Sequence, residues 1–264
     1  MEPLFKQASA EKQTRPSSCE KHGAFTSTNL FRNVWSQCRV CAEETRKADE
    51  EASEQARITL ERERLQQRLG RSAIPKRFIG RGFENFTVRN DGQGKALQIV
   101  REYAEQFDAH MKTGHGLVLS GKPGTGKSHL AAAVMQSILA NHSVLYVTCM
   151  DVIRMVRETW RRDSDESERD VLQRLGRMAL LVIDEVGVQY GTEGEQTILF
   201  DVLDLRYRDM LPTILMTNQD LAGAKTFLGE RTWDRVRETC RWVPFDWESY
   251  RPQARSEALE GQKS

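Results

Sequence analysis

Apolar and polar positions are distributed differently before and after residue 83. From Phe83 onward, short apolar runs alternate with stretches of helical period. Leu97, Val100, Ala104, Phe107 and Met111 follow one another at spacings of 3, 4, 3 and 4, which predicts an amphipathic helix over 95–111. Strands are expected at 116–120, 144–148, 180–184, 213–218 and 241–245. Helices are expected at 127–140, 151–162, around 171–175, at 195–210 and at 221–237, the last broken near Gly229. The strand segments are apolar throughout rather than alternating. That pattern belongs to a mainly parallel sheet sandwiched by helices, so the expected class is α/β.

The front of the chain reads differently. Residues 42–71 contain no proline and no glycine before Gly70, and Ala, Glu, Gln and Arg dominate. This composition predicts one long helix. Acidic residues crowd its start and Arg57, Arg62, Arg64, Arg68 and Arg71 its end, an order that suits the helix dipole. Ile58, Leu65 and Leu69 make only a thin apolar stripe, so 42–74 is expected to be a solvated connector. Residues 1–18 and 253–264 read as polar tails. Pro75 and Gly80 to Gly82 mark the start of the main domain, 75–252.

Charge narrows the function classes. With 39 basic and 38 acidic residues the net charge is +1, which excludes a basic coat over the whole molecule. Any nucleic-acid contact must use a local patch. The apolar runs fall far short of the roughly 18 residues a membrane helix requires. Met1 to Ala10 has no apolar signal core, so a cytoplasmic protein with no membrane partner is expected.

Of the five cysteines, three lie close together. Cys19 and His22 form one C-x-x-H pair, and Cys38 and Cys41 form a C-x-x-C pair, with 15 residues between the two pairs. Each spacing lets two side chains of one turn face a single ion, and four protein ligands make a closed tetrahedral zinc site. Residues 19–41 are too few for a core of their own, so Zn²⁺ would supply folding energy. Scattered free thiols are the alternative. Cys149 and Cys240 read as small buried hydrophobes. His110, His115, His129 and His142 have no neighbours of this kind and are incidental to metal binding.

The segment Gly121, Lys122, Pro123, Gly124, Thr125, Gly126, Lys127, Ser128 fits the phosphate-loop pattern G-x-x-x-x-G-K-[ST] at every fixed position. It also has the required context, an apolar strand before it and an Ala-rich helix after it. With His129, the next residue, it is the expected ATP-binding segment. Lys127 can reach the β- and γ-phosphates and Ser128 can ligate Mg²⁺. Asp184 ends an apolar strand and is the second expected Mg²⁺ ligand. Glu185 is expected to orient and deprotonate the attacking water. Asn218, at another strand end, is a candidate for the γ-phosphate or the water, or else an ordinary turn former.

The segments FENF (83–86), GKPGTGKSHLAAA (121–133), LLVIDEVGVQ (180–189), MTNQD (216–220), LGERTWDRVRE (228–238) and FDWESYR (245–251) together resemble the DnaC-type helicase loaders of the AAA+ ATPases. The resemblance covers roughly residues 60–252. It implies a protein that binds a hexameric DnaB-type replicative helicase and delivers it onto single-stranded DNA. It implies self-association on the helicase ring, with residues 1–74 as the helicase-binding region. Arg235 looks like an arginine finger reaching a neighbouring subunit, with Arg231 as second candidate. Arg251 resembles a second sensor acting within its own chain, although only 13 residues follow it, too few for a helical lid. Phe83 and Phe86 fall where the family's chain approaches adenine, and a plain core role is the alternative.

For DNA, Arg154, Arg157 and Arg161 form a basic stripe if 151–162 is one helix. Trp160 could stack a base there, or continue the apolar face of Ile153 and Val156 into the core. Gln189 and Thr192 are further candidates. A transposition helper ATPase of the IstB type is the alternative function. A small-molecule kinase is disfavoured, because it has no use for the arginine-rich 229–235 segment or for Asn218.

Overall fold

The computed structural model describes residues 13–188, 192–250 and 252. The chain divides into two units, residues 1–64 and 65–264.

The first unit is a small antiparallel sheet followed by a helix. Strands β1 (Thr14–Cys19), β2 (Gly23–Phe31) and β3 (Val34–Trp35) pair in that order. The polar residues expected as a tail up to 18 are therefore paired from Thr14, with Thr14 opposite Thr28 and Cys19 opposite Gly23. Backbone pairing makes no demand on side-chain polarity, which is why composition misses it. Helix α1 (Arg39–Arg71) begins ahead of the expected 42 and carries Cys41 in its first turn. None of its residues is buried, as the thin stripe predicts.

The second unit carries a five-stranded sheet in the order β5-β6-β7-β4-β8, with every pairing parallel. These strands are β4 (Gly116–Gly121), β5 (Val144–Thr148), β6 (Leu180–Val186), β7 (Thr213–Thr217) and β8 (Cys240–Phe245). Successive side chains point to opposite faces. Leu180 and Val182 join one buried cluster with Leu119, Leu130 and Phe245, and Leu181 and Ile183 join another with Val118, Ile153 and Leu199. Both faces are covered, so the strands are apolar without alternation.

The helices differ from expectation mainly at their ends. The 95–111 helix is two, α2 (Asp91–Glu105) and α3 (Phe107–Thr113), separated at Gln106. Helix α2 starts early because the Asn90 side chain caps it by accepting from the Gln93 N–H. Helix α4 (Lys127–Ile138) follows the phosphate loop. Helix α5 (Cys149–Glu158) stops short of 162, so Trp160 and Arg161 lie beyond it. Helices α6 (Glu168–Gly176), α7 (Glu193–Arg208) and α8 (Leu221–Thr239) complete the unit, with Gly229 non-helical inside α8. Among the described residues no helix is long and apolar enough to cross a membrane.

Candidate nucleotide site and metal centre

The parallel order sets the carboxyl ends of β6, β7 and β4 side by side, and the nucleotide candidates occupy those ends. The chain leaves β4 at Gly121, where φ is 150° and a Cβ would stand 2.1 Å from the Phe245 carbonyl oxygen. It enters α4 through Gly126, where φ is 102° and a Cβ would stand 2.6 Å from the Phe86 ring. Only glycine fits either place.

The Lys127 ammonium is buried and donates to the carbonyl oxygens of Gly121 and Lys122 and, at 2.9 Å, to Asn218 Oδ1. The Ser128 hydroxyl donates to Asp184 Oδ2 at 3.2 Å. A hydroxyl and a carboxylate brought together at the head of α4 are a donor set that suits Mg²⁺. Tyr146, in the middle of β5, donates its hydroxyl to the same Asp184 oxygen. Burial, and then the Asp184 charge, push the Tyr146 pKa upward, so this phenol stays a donor. Sequence reading misses Tyr146 because a tyrosine inside an apolar strand carries no mark of function.

Glu185 sits at a register break between Ile183 and Val186, with φ of 59°. A non-glycine residue in the left-handed region at a bulge is re-aimed relative to the ladder. The Glu185 side chain is exposed beside Asp184, and its backbone N–H donates to Asp184 Oδ1 at 2.7 Å. Lys127, Ser128, Asp184, Glu185 and Asn218, expected from three separate segments, thus form one constellation.

Other expected residues serve differently. His129 hydrogen-bonds the Gly82 carbonyl at 2.9 Å and meets the Phe86 ring edge-on, holding the entering chain against α4. Phe83 and Phe86 are half-buried against the core. Lys122 pairs with Glu248 at 3.4 Å. Arg235 reaches across to α7, where Nη1 lies 2.5 Å from Asp204 Oδ1 and the guanidinium covers the Phe200 and Tyr207 rings. Arg231 is exposed and, among the described residues, makes no ion pair. Arg251 and Gln189 lie outside the described residues.

The basic stripe is altered by the early end of α5. Trp160 is 61% exposed and its indole N–H donates to Glu168 at 2.8 Å. It therefore does not continue the buried face of Ile153 and Val156, and the core reading is corrected. Arg154 is exposed, Arg161 pairs with Asp163, and Arg157 pairs at 3.5 Å with the buried carboxylate of Glu195. Thr192 caps α7, its hydroxyl accepting from the Glu195 N–H at 3.4 Å.

In the first unit, one ligand atom each from Cys19, His22, Cys38 and Cys41 lies within 4.8 Å of all the others. His22 Nδ1 is 3.2 Å from Cys41 Sγ and 3.8 Å from Cys19 and Cys38, and Cys19 and Cys41 Sγ are 3.4 Å apart. Tetrahedral zinc, with bonds of about 2.0–2.3 Å, has ligand-to-ligand edges of roughly 3.5–3.8 Å. The donor set fits. The other ring nitrogen of His22 lies 3.4 Å from Glu44, a carboxylate placed to orient a ligating imidazole. The Cys19 thiol is pulled down to about 6 by the backbone N–H groups of His22 and Lys21. Cys41 is pushed up to about 11, chiefly by its hydrogen bond with Cys19. Cys149 is buried, as expected of a small hydrophobe, and Cys240 is half-buried.

Comparison with known proteins places the part of the chain that carries the nucleotide site in a family. The family described as IstB-like ATP binding protein matches residues 50–258. The replicative helicase loader DnaC of Escherichia coli is 39% identical over 198 residues, covering 73% of this chain and 79% of the relative. The DnaC of Buchnera aphidicola is 36% identical over 196 residues, covering 74% and 78%. A crystal structure of the DnaC helicase loader superposes with a TM-score of 0.58 at 23% identity, covering 64% of this chain and 99% of that one. On this sequence match, and with a fold to suit it, the chain belongs to the DnaC family of replicative helicase loaders among the IstB-like AAA+ ATPases.

Proposed function

We propose that this chain is a cytoplasmic, ATP-hydrolysing loader that binds a hexameric DnaB-type replicative helicase and delivers it onto single-stranded DNA. The observation that carries this reading is the 39% identity over 198 residues with the Escherichia coli loader. Lys127, now engaged with two carbonyls and Asn218, turns to the β- and γ-phosphates of ATP. Ser128 and Asp184 hold Mg²⁺, which neutralises phosphate charge when bound. Glu185, exposed beside Asp184, orients the attacking water and takes its proton, and Asn218 contacts the γ-phosphate or that water.

Completion of the site needs a neighbour. Within one chain Arg235 is held by Asp204, so it serves another subunit only after leaving that carboxylate. Arg231 is the second candidate, and Arg251 the sensor within the chain. Copies lined up on a helicase ring would supply the missing arginine, which typically contributes ~10³–10⁵ in rate. Residues 1–74, with a structural zinc on Cys19, His22, Cys38 and Cys41, bind the helicase. Single-stranded DNA runs by Arg154, Arg157, Trp160, Arg161 and Thr192, and the exposure of Trp160 supports base stacking there.

A second reading, a transposition helper ATPase of the IstB type, is favoured by the family description that matches residues 50–258. One set of experiments separates the two. The full chain should co-elute with a hexameric replicative helicase, and single-stranded DNA should stimulate its slow hydrolysis. Lys127→Ala should abolish ATP binding. Glu185→Gln should keep binding and lose ~10²–10⁴ in rate. Retention of a transposase, with no helicase retained, would move the assignment to the helper.

A further inference from the structure

The segment that follows β8 touches the phosphate loop at consecutive points. The Trp247 indole N–H donates to the Thr125 carbonyl oxygen at 3.0 Å. The backbone N–H of Tyr250 donates to the Gly124 carbonyl oxygen at 2.9 Å. Trp247 is only 8% exposed, and its ring packs on Phe245 with centroids 4.9 Å apart. Its ring also lies against Gly92 in α2, where a Cβ would stand at an ordinary contact distance of 3.4 Å from the indole. The indole is therefore a fixed donor.

Its placement has a stereochemical consequence. A trans peptide is planar, so the C=O of one residue and the N–H of the next point in opposite directions. Holding the carbonyls of Gly124 and Thr125 toward Trp247 and Tyr250 turns the N–H groups of Thr125 and Gly126 the other way. Successive N–H groups aimed to one side make an anion-binding concavity. The loop's own bonds, from the Thr125 hydroxyl and the Lys127 ammonium to the Lys122 carbonyl, restrain its first half. The second half is restrained from outside, by residues more than a hundred positions away.

We propose that Trp247 is a positioning residue of the nucleotide site, which pre-aims the Thr125 and Gly126 N–H groups at the phosphates through the Thr125 carbonyl. This rests on the reading of the loop as an ATP site. Trp247→Phe keeps an aromatic ring in the buried site and removes the donor together with part of the indole's volume. In the full chain with Mg²⁺, it is expected to raise the Kd for a fluorescent ATP analogue about 5–10-fold, the effect of one hydrogen bond. KM for ATP should rise in step, with kcat within about twofold. The lost indole volume should also lower the melting temperature without nucleotide, so the binding and KM changes, not the melting temperature, report the positioning role. A second pair tests the neighbouring carbonyl. Tyr250→Pro, which lacks the backbone N–H, should bind more weakly than Tyr250→Ala, which keeps it. If Trp247→Phe melts lower but binds the analogue as tightly as wild type, Trp247 is a packing residue and the inference falls. Equal affinities in the two Tyr250 variants would also overturn it. If wild type binds no analogue, the ATP reading fails and takes this inference with it.

Discussion

The two units are ordered by different forces. In the ATPase unit every residue from Leu180 to Ile183 is fully buried, and helices cover both faces of the sheet. In the amino-terminal unit only Ser27 and Cys38 are buried among the described residues, while Leu30, Phe31 and Val34 are each more than half exposed. Three short strands cannot hide enough apolar surface to offset the entropy of ordering them. What that unit has instead is four ligand atoms within 4.8 Å of one another. Sheet geometry there serves the ligands: pairing of Cys19 with Gly23 closes a tight turn that returns His22 to Cys19. One unit is organised around area removed from water, the other around a cluster of four side chains that suits a metal ion.

Removing the ligands should separate the behaviour of the two units most sharply. Cys38→Ser combined with Cys41→Ser is expected to abolish a zinc content of one per chain, read by elemental analysis. A structural zinc site contributes ~10–16 kcal/mol, so hydrogen exchange over residues 13–64 should become unprotected while ATP binding persists. Full zinc occupancy in that double variant would sink the assignment.

The converse test strikes the core of the ATPase unit. Arg206 is 1% exposed, and its guanidinium donates to Thr213 Oγ1 and to the carbonyls of Leu175, Gly176, Met178 and Pro212. Burial pulls its pKa down to about 9, and the fork of N–H donors joins the ends of α6, α7 and β7. Arg206→Met leaves those carbonyls without partners. It should destabilise this unit by about 3–5 kcal/mol in denaturant titration, with zinc content unchanged.

The smallest effect concerns acid. His110 stacks on Tyr103 at 4.4 Å, and burial, then the His115 charge, lower its pKa below the ordinary histidine value. The unfolded chain then takes up the proton at higher pH than the folded one. Stability from this group is complete above the ordinary value and is lost as pH falls through the lowered one. His110→Gln should make the melting temperature of the ATPase unit less sensitive to acidification from about pH 7 to 5. An unchanged slope would show that other groups set it.

Much of the nucleotide site is legible before any folding is considered. Gly121, Lys127, Ser128, Asp184, Glu185 and Asn218 each sit at a strand end or turn that local pattern identifies. The parallel α/β reading brings those ends together. Helix ends are less legible. Extending the period of Ile153 and Val156 to Trp160 assumes a helix that in fact stops at Glu158, and this turns an exposed indole into an apparent core residue. The acidic partner of Arg157 is equally hidden, since Glu195 belongs to another helix.

Taken alone, the sequence settled what short spacings settle. A phosphate loop, two C-x-x pairs and the burial of continuous apolar strands depend on residues a few positions apart, and there backbone geometry leaves few choices. Tertiary structure decided the order β5-β6-β7-β4-β8, the capture of Arg235 by Asp204 and the donor that Trp247 offers to Thr125. Those depend on which surfaces pack together. A hydrogen bond between residues 122 positions apart leaves no local trace, because only the closed core brings its two ends within reach.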